Sequence, residues 1–345
     1  MNRKVERDTM PELLRLISIF GIIMMHLFGI YRFESSGTNL LFGIGINTLF
    51  NCGVSIFILI SGYYGIKFSV NSIVKLWIIT VFYSLMQVIV SMVMITHEFN
   101  IRELWLAFFP FSTRKYWFIS SYLLLMFFSR FLNMAVEFLE KKQLGLLIAS
   151  LAFVFSVLPT LTQLQVMNDC GKGPLNLLLI YFIGGYIKKY DVDMNKNKIV
   201  TTLLGLFFTQ FVMNCITTKY RGGWYLPFSY DCSMFIVISS SLIFLLAKKS
   251  NYQNHFINKI AKRTLGIYLL EGTIEILMES IGVVFDFYSP LLPLYITIEA
   301  IAIFVICLVI DSVREILMIP LFLMLDKING ILKPIIKIVH YRILD

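Results

Sequence analysis

Glu12-Leu-Leu-Arg15-Leu-Ile-Ser18-Ile-Phe-Gly-Ile22-Ile-Met-Met-His26 is an apolar helix with a polar stripe, and both features bear on the fold. Its Leu, Ile, Phe and Met content is that of the start of a membrane span. Arg15 and His26 are eleven residues apart. At about 100° per residue that is three turns and a little more, so the two side chains share one face. Along the axis they stand ~16 Å apart. Glu12 lies one turn below Arg15, and Ser18 one turn above it. An ionisable group inside a bilayer costs about 2.5 kcal/mol or more, so the stripe reads as functional by default. The plainer reading puts Arg15 at the headgroups, paired with Glu12, and makes His26 a hydrogen-bonded packing residue. The segment has no small-residue cleavage site and is expected to be retained, not removed as a signal peptide.

The rest of the chain agrees with a membrane reading. Its 345 residues are 58% hydrophobic and only 15% charged, and the mean hydropathy is +0.78. Soluble globular domains do not have this composition. Apolar stretches of roughly spanning length fall at 12–31, 42–65, 72–95, 116–134, 143–159, 174–188, 199–216, 231–247, 264–284 and 294–316. The expected fold class is therefore an all-α polytopic membrane protein, a bundle of about ten transmembrane helices with both termini cytoplasmic. Residues 1–316 form the membrane domain. Residues 317–345, which mix apolar residues with cations, form an amphipathic tail along the inner leaflet. No further domain is expected after the last span. The expected location is the cell membrane, multi-pass, with membrane lipid as surroundings.

Orientation follows from the cations. With the N-terminus inside, 22 of the 30 Lys and Arg residues fall on the inner side and 7 on the outer side, and Arg15 sits within the first span. Every inner loop is basic, which is the positive-inside pattern. Topology thus accounts for the formal net charge of +9, and no nucleic-acid partner is expected. Cys52, Cys170, Cys215, Cys232 and Cys307 show no metal-ligand spacing, so no metal is expected. A Cys170–Cys232 disulfide on the outer side is not favoured.

Four further stretches carry recognisable patterns. Gly53-Val-Ser-Ile-Phe-Ile-Leu-Ile-Ser61-Gly62-Tyr63 closes the second span, and Tyr116-Trp117-Phe118-Ile-Ser-Ser-Tyr122-Leu opens the fourth. Tyr181-Phe-Ile-Gly184-Gly185-Tyr186 ends the sixth, and Leu265-Gly266-Ile267-Tyr268-Leu269 begins the ninth. Together with Glu12-x2-Arg15-x10-His26, in this order, they resemble the acyltransferase family 3 membrane proteins over most of residues 8–316. The form without a second domain is most similar to the bacterial polysaccharide O-acetyltransferases.

The resemblance implies transfer of an acyl group, usually acetyl from cytoplasmic acetyl-CoA, to a hydroxyl of an extracytoplasmic glycan of capsular or exopolysaccharide type. Acetyl-CoA would be a co-substrate, with no permanently bound cofactor. The matched Arg15 and His26 would be essential, with Glu12 beside them in the catalytic set. The helix suits that task. Arg15, near the cytoplasmic end, can bind CoA phosphates or amides. His26, in the outer half, can take the proton of an attacking hydroxyl. Ser61 and Lys67 are the further donor-binding candidates, although relatives often carry Arg at the position of Lys67. Small-residue packing and positive-inside placement explain those two equally well.

Tyr116 and Trp117 at the outer boundary read as interfacial anchors or as a sugar platform. Glu271, Glu275 and Glu279 repeat at i, i+4 and i+8 in the ninth span, and must face the interior or water. Reckoned from Thr264 at the inner face, Glu275 and Glu279 reach ~16 and ~22 Å, comparable with His26. Either is expected to line the acceptor pocket with His26 and to fix its tautomer. Relatives often carry His where Glu271 stands, which leaves the role of that residue open. The competing function is a carrier or flippase for glycan intermediates, suggested by ten spans and an acidic ninth helix. A competing donor is succinyl- or another acyl-CoA. Polysaccharide biosynthesis machinery is a candidate partner.

Overall fold

The structure is a computed structural model that describes residues 8–31, 36–283 and 285–343. Arg3, Lys4, Arg7 and Arg32, used above to orient the chain, lie outside the described residues. So do the side chains of 331–345, with the tail's Lys333, Lys337 and Arg342. Among the described residues there is no strand. A backbone in hydrocarbon has no water to bond, and the helix satisfies its polar groups within one segment.

The helices run α1 (Thr9–Tyr31), α2 (Gly37–Phe50), α3 (Gly53–Tyr64), α4 (Val70–Ser91), α5 (Ile101–Ala107), α6 (Trp117–Phe138) and α7 (Lys141–Ala152). They continue with α8 (Leu158–Thr162), α9 (Pro174–Lys189), α10 (Lys196–Arg221), α11 (Met234–Lys248), α12 (His255–Ala261), α13 (Thr264–Ser280) and α14 (Leu292–Ile343). Each of the ten expected spans contains a helix. Among the described residues, eight stretches are long and apolar enough to cross a membrane. The other two, α9 with 16 residues and α13 with 17, reach only ~24–26 Å against the ~30 Å of a hydrocarbon core. They can be short because they are interior helices: most of their residues are buried or half-buried against neighbours.

Two spans differ from their sequence-based outlines. The second is broken at Asn51-Cys52 into α2 and α3, and the Asn51 amide donates to the Ser229 carbonyl across the break. The tenth does not end at 316, because α14 continues as one helix to Ile343. Arg314, one of the cations counted above on the inner side, is buried in that helix. Its Nε donates to Asp311 Oδ1 at 2.8 Å, and the Tyr83 hydroxyl donates to the same oxygen at 2.6 Å.

The tightest seam is between α3 and α9. A Cβ at Gly62 would lie 2.1 Å from the Tyr181 carbonyl oxygen, and one at Gly184 would lie 2.3 Å from that of Leu59. Only hydrogen fits at either position, so the two backbones meet directly. Tyr181, fully buried on α9, locks the seam. Its hydroxyl donates to Asn133 Oδ1 at 2.6 Å and accepts from the Ile66 N–H at 2.9 Å.

The basic end of the bundle is stitched by its own charges. Lys189 Nζ donates to the carbonyls of Val136, Glu137 and Leu139 at the C-terminus of α6, where partial negative charge collects. Lys248 pairs with Asp191, and Lys249 with Asp193. Thr9 Oγ1 accepts from the Asn254 N–H at 2.9 Å, which ties the start of α12 to the start of α1. Among the described residues all five cysteines are free; Cys170 and Cys232 meet only through a backbone hydrogen bond.

Candidate active site

His26 projects from α1 toward α13, where its Nδ1 lies 2.8 Å from Glu271 Oε1. Glu271 is 3% exposed, whereas the imidazole is half exposed, and its open side faces a cavity of about 670 Å³. With Nδ1–H directed at the carboxylate, Nε2 is left as the acceptor on the cavity side. Asn47, Asn51, Trp117, Lys172 and Asp231 also line this cavity. Lys172 Nζ stands 5.5 Å from the centroid of the Trp117 ring, a cation over an aromatic face.

Toward the basic end a second, narrower cavity of about 260 Å³ is lined by Arg15, Ser61, Lys262 and Thr264 between mostly apolar walls. Arg15 Nη1 donates to Glu12 Oε1 at 2.9 Å, with Glu12 buried and the guanidinium partly open. The Ser61 hydroxyl donates to the Phe57 carbonyl at 2.9 Å and can offer only lone pairs to a ligand. Three residues line both cavities: Ile22 of α1, Val54 of α3 and Tyr268 of α13. The two compartments are therefore adjacent, and these three residues form the neck between them, with Arg15 on one side and His26 on the other.

The sequence-predicted residues divide accordingly. Arg15, Glu12 and Ser61 gather at the narrow cavity, and His26 and Trp117 at the wide one. Tyr116 is buried and hydrogen-bonded to Gln87, and it lines neither cavity. Lys67 does not join Arg15. It lines a separate surface cavity with Arg130 and Asn133. Glu275 stands near His26, but Glu279, a turn further on, is exposed.

The carboxylate that reaches the imidazole is Glu271. Helical rise alone does not pick it out. Thr264 is buried and lines the same cavity as Arg15. From that level, His26 and Glu275 each stand ~16 Å up their helices and Glu271 only ~10 Å, yet it is the Glu271 side chain that meets Nδ1. Lys262, Tyr268, Lys172 and Asp231 were also not foreseen; only Tyr268 carried a signal, as part of Leu265–Leu269.

His26, Glu271 and Glu275 each offer an atom within 4.8 Å of the others, the one group among the described residues that could hold a cation. Its present geometry favours a proton. Two ligands ~2.0–2.2 Å from a zinc-sized ion stand about 3 Å apart or more, wider than the 2.8 Å between Nδ1 and Oε1. Glu271 Oε2 and Glu275 Oε1 are buried without a hydrogen-bond partner in the structure, so acceptor capacity is left over beside the imidazole.

A search of curated proteins and a search of solved structures each return no match. A family model described as an acyltransferase domain matches residues 10–311, from the first turns of α1 to Asp311 of α14. With a match over most of the chain and an imidazole–carboxylate pair at a two-cavity neck, this protein belongs to the acyltransferase family 3 of integral-membrane acyltransferases.

Proposed function

We propose that the protein is a cell-membrane O-acetyltransferase that moves acetyl from cytoplasmic acetyl-CoA to a sugar hydroxyl of an extracytoplasmic glycan. The observation that carries the proposal is the Nδ1–Oε1 pair of His26 and Glu271, opening on one cavity beside its neck with another. In this reading the pantetheine arm enters the narrow cavity past Arg15 and Lys262, whose cations meet the donor's phosphates. Glu12 holds the guanidinium in place.

The acceptor occupies the wide cavity, where Trp117 offers an aromatic face and Asn47, Asn51 and Asp231 offer hydrogen bonds. Nε2 of His26 takes the proton of the acceptor hydroxyl as its oxygen attacks the thioester carbon. The C–S bond breaks, and the departing sulfur takes that proton from the imidazolium. One ester and one thiol result, so no metal or redox partner is required. Glu271 is the positioning residue: it fixes the tautomer and offsets the imidazolium charge. Lys67 is left out, because its cavity is separate from that of Arg15.

The test is His26→Ala, read by NMR of purified glycan. Removal of a general base costs about 10²–10⁴-fold, so O-acetyl methyl signals should vanish while the protein still inserts. Full acetylation in the variant would refute the proposal. Loss of glycan export with acetylation intact would favour a carrier instead.

A further inference from the structure

An acyl group sits at the tip of the pantetheine arm, so in the proposed reaction it passes the neck ahead of the carbonyl. We infer that Ile22, Val54 and Tyr268 form an acyl-size filter that admits a short uncharged acyl group and excludes longer chains and succinyl. The inference rests on the donor assignment given above.

The neck is built to resist widening. On one side, a Cβ at Gly53 would lie 3.2 Å from the Ser18 carbonyl oxygen and 3.3 Å from Ile22 Cδ1. Here α1 and α3 are in close backbone contact, and Val54, the next residue, is held opposite a buried Ile22. On the other side, Tyr268 meets Phe118 edge-on at 5.6 Å and Tyr116 at 6.3 Å between ring centroids. Phe118 in turn stacks on Tyr122 at 5.8 Å. Two β-branched side chains and one braced ring leave no flexible group to swing aside.

Chemistry on either side adds to the selection. A longer chain that passed the neck would end among Asn47, Asn51, Lys172 and Asp231, where methylenes strip water from polar groups without replacing its hydrogen bonds. A succinyl carboxylate would first have to cross the apolar neck unpaired, at a larger cost.

The experiment uses membrane vesicles from cells expressing the full chain, given radiolabelled acetyl-, butyryl- or succinyl-CoA, with label counted in the precipitated glycan. Wild type should take acetyl well ahead of the other two. Val54→Ala should raise the butyryl-to-acetyl ratio about tenfold, the low end of what one or two methylenes are worth in an apolar pocket. Ile22→Val should shift the ratio the same way by less, and it answers the question if Val54→Ala does not fold. An unchanged ratio in both variants with acetyl transfer intact would overturn the filter, as would a wild type that takes butyryl as readily as acetyl. A wild type that transfers no acyl group would refute the donor assignment and the filter with it, whereas transfer that survives His26→Ala would refute the role of His26 in the proposed function.

Discussion

At the scale of single residues, the site turns on what Glu271 does for His26. A carboxylate 2.8 Å from Nδ1 can only accept, so it specifies Nδ1–H and leaves Nε2 basic. Glu271→Gln separates charge from shape. The amide can turn its NH₂ toward Nδ1, stabilise the wrong tautomer and supply no charge to the imidazolium. Loss of about 10²-fold or more in turnover is expected, given the effect of the equivalent change in serine proteases. KM for the acyl donor should stay near wild type, because the donor cavity lies across the neck. A merely structural role for Glu271 would instead lower folded yield and leave the specific activity of the surviving protein intact. The alignment of Arg15 with His26 was legible in the sequence because both residues lie on one helix and helical period alone fixes it. The partner of His26 was not, because the offset and tilt between α1 and α13 are set by tertiary packing, which helical rise does not fix.

At the scale of helices, two of the five motifs that carry the family resemblance are explained by packing. Gly62 and Gly184 stand where α3 and α9 touch backbone to backbone. Gly62→Ala would push a methyl to 2.1 Å from a carbonyl oxygen, and a backbone atom cannot rotate away as a side chain can. Overpacking of this kind costs about 1–3 kcal/mol, sometimes more. The variant should therefore unfold at clearly lower temperature in detergent, whereas Ser61→Ala beside it should leave stability near wild type and act, if at all, on donor binding. Equal melting temperatures for Gly62→Ala and wild type would show that the seam is looser than drawn. Hydropathy could place α3 and α9 but could not reveal this contact, since glycine reads as a neutral residue within an apolar run. For the same reason the break between α2 and α3 went unseen: Asn51-Cys52 barely lowers the hydropathy of the second span.

At the scale of the whole molecule, the two cavities open toward opposite ends of the bundle, so the proposed chemistry is vectorial and depends on which end faces the cytoplasm. The distribution of charge decides which end that is. The end that holds Arg15 also holds Lys189, Lys248, Lys249, Lys259, Lys262 and Arg263, several paired with acidic residues of neighbouring segments. The other end has far fewer cations, Lys219 and Arg221 of α10 among them. A K/R excess of this size sets orientation during insertion. Cysteine labelling reads the outcome directly, in a background where Cys170 and Cys215, neither of them buried, are changed to Ser. Lys219→Cys, exposed at the sparse end, should react with a membrane-impermeant maleimide in intact cells. Lys262→Cys, exposed at the rim of the Arg15 cavity, should react only after permeabilisation, and acetyl-CoA added beforehand should slow it. The opposite labelling pattern would place the Arg15 cavity outside, where acetyl-CoA is not supplied, and the donor assignment would fall with the orientation.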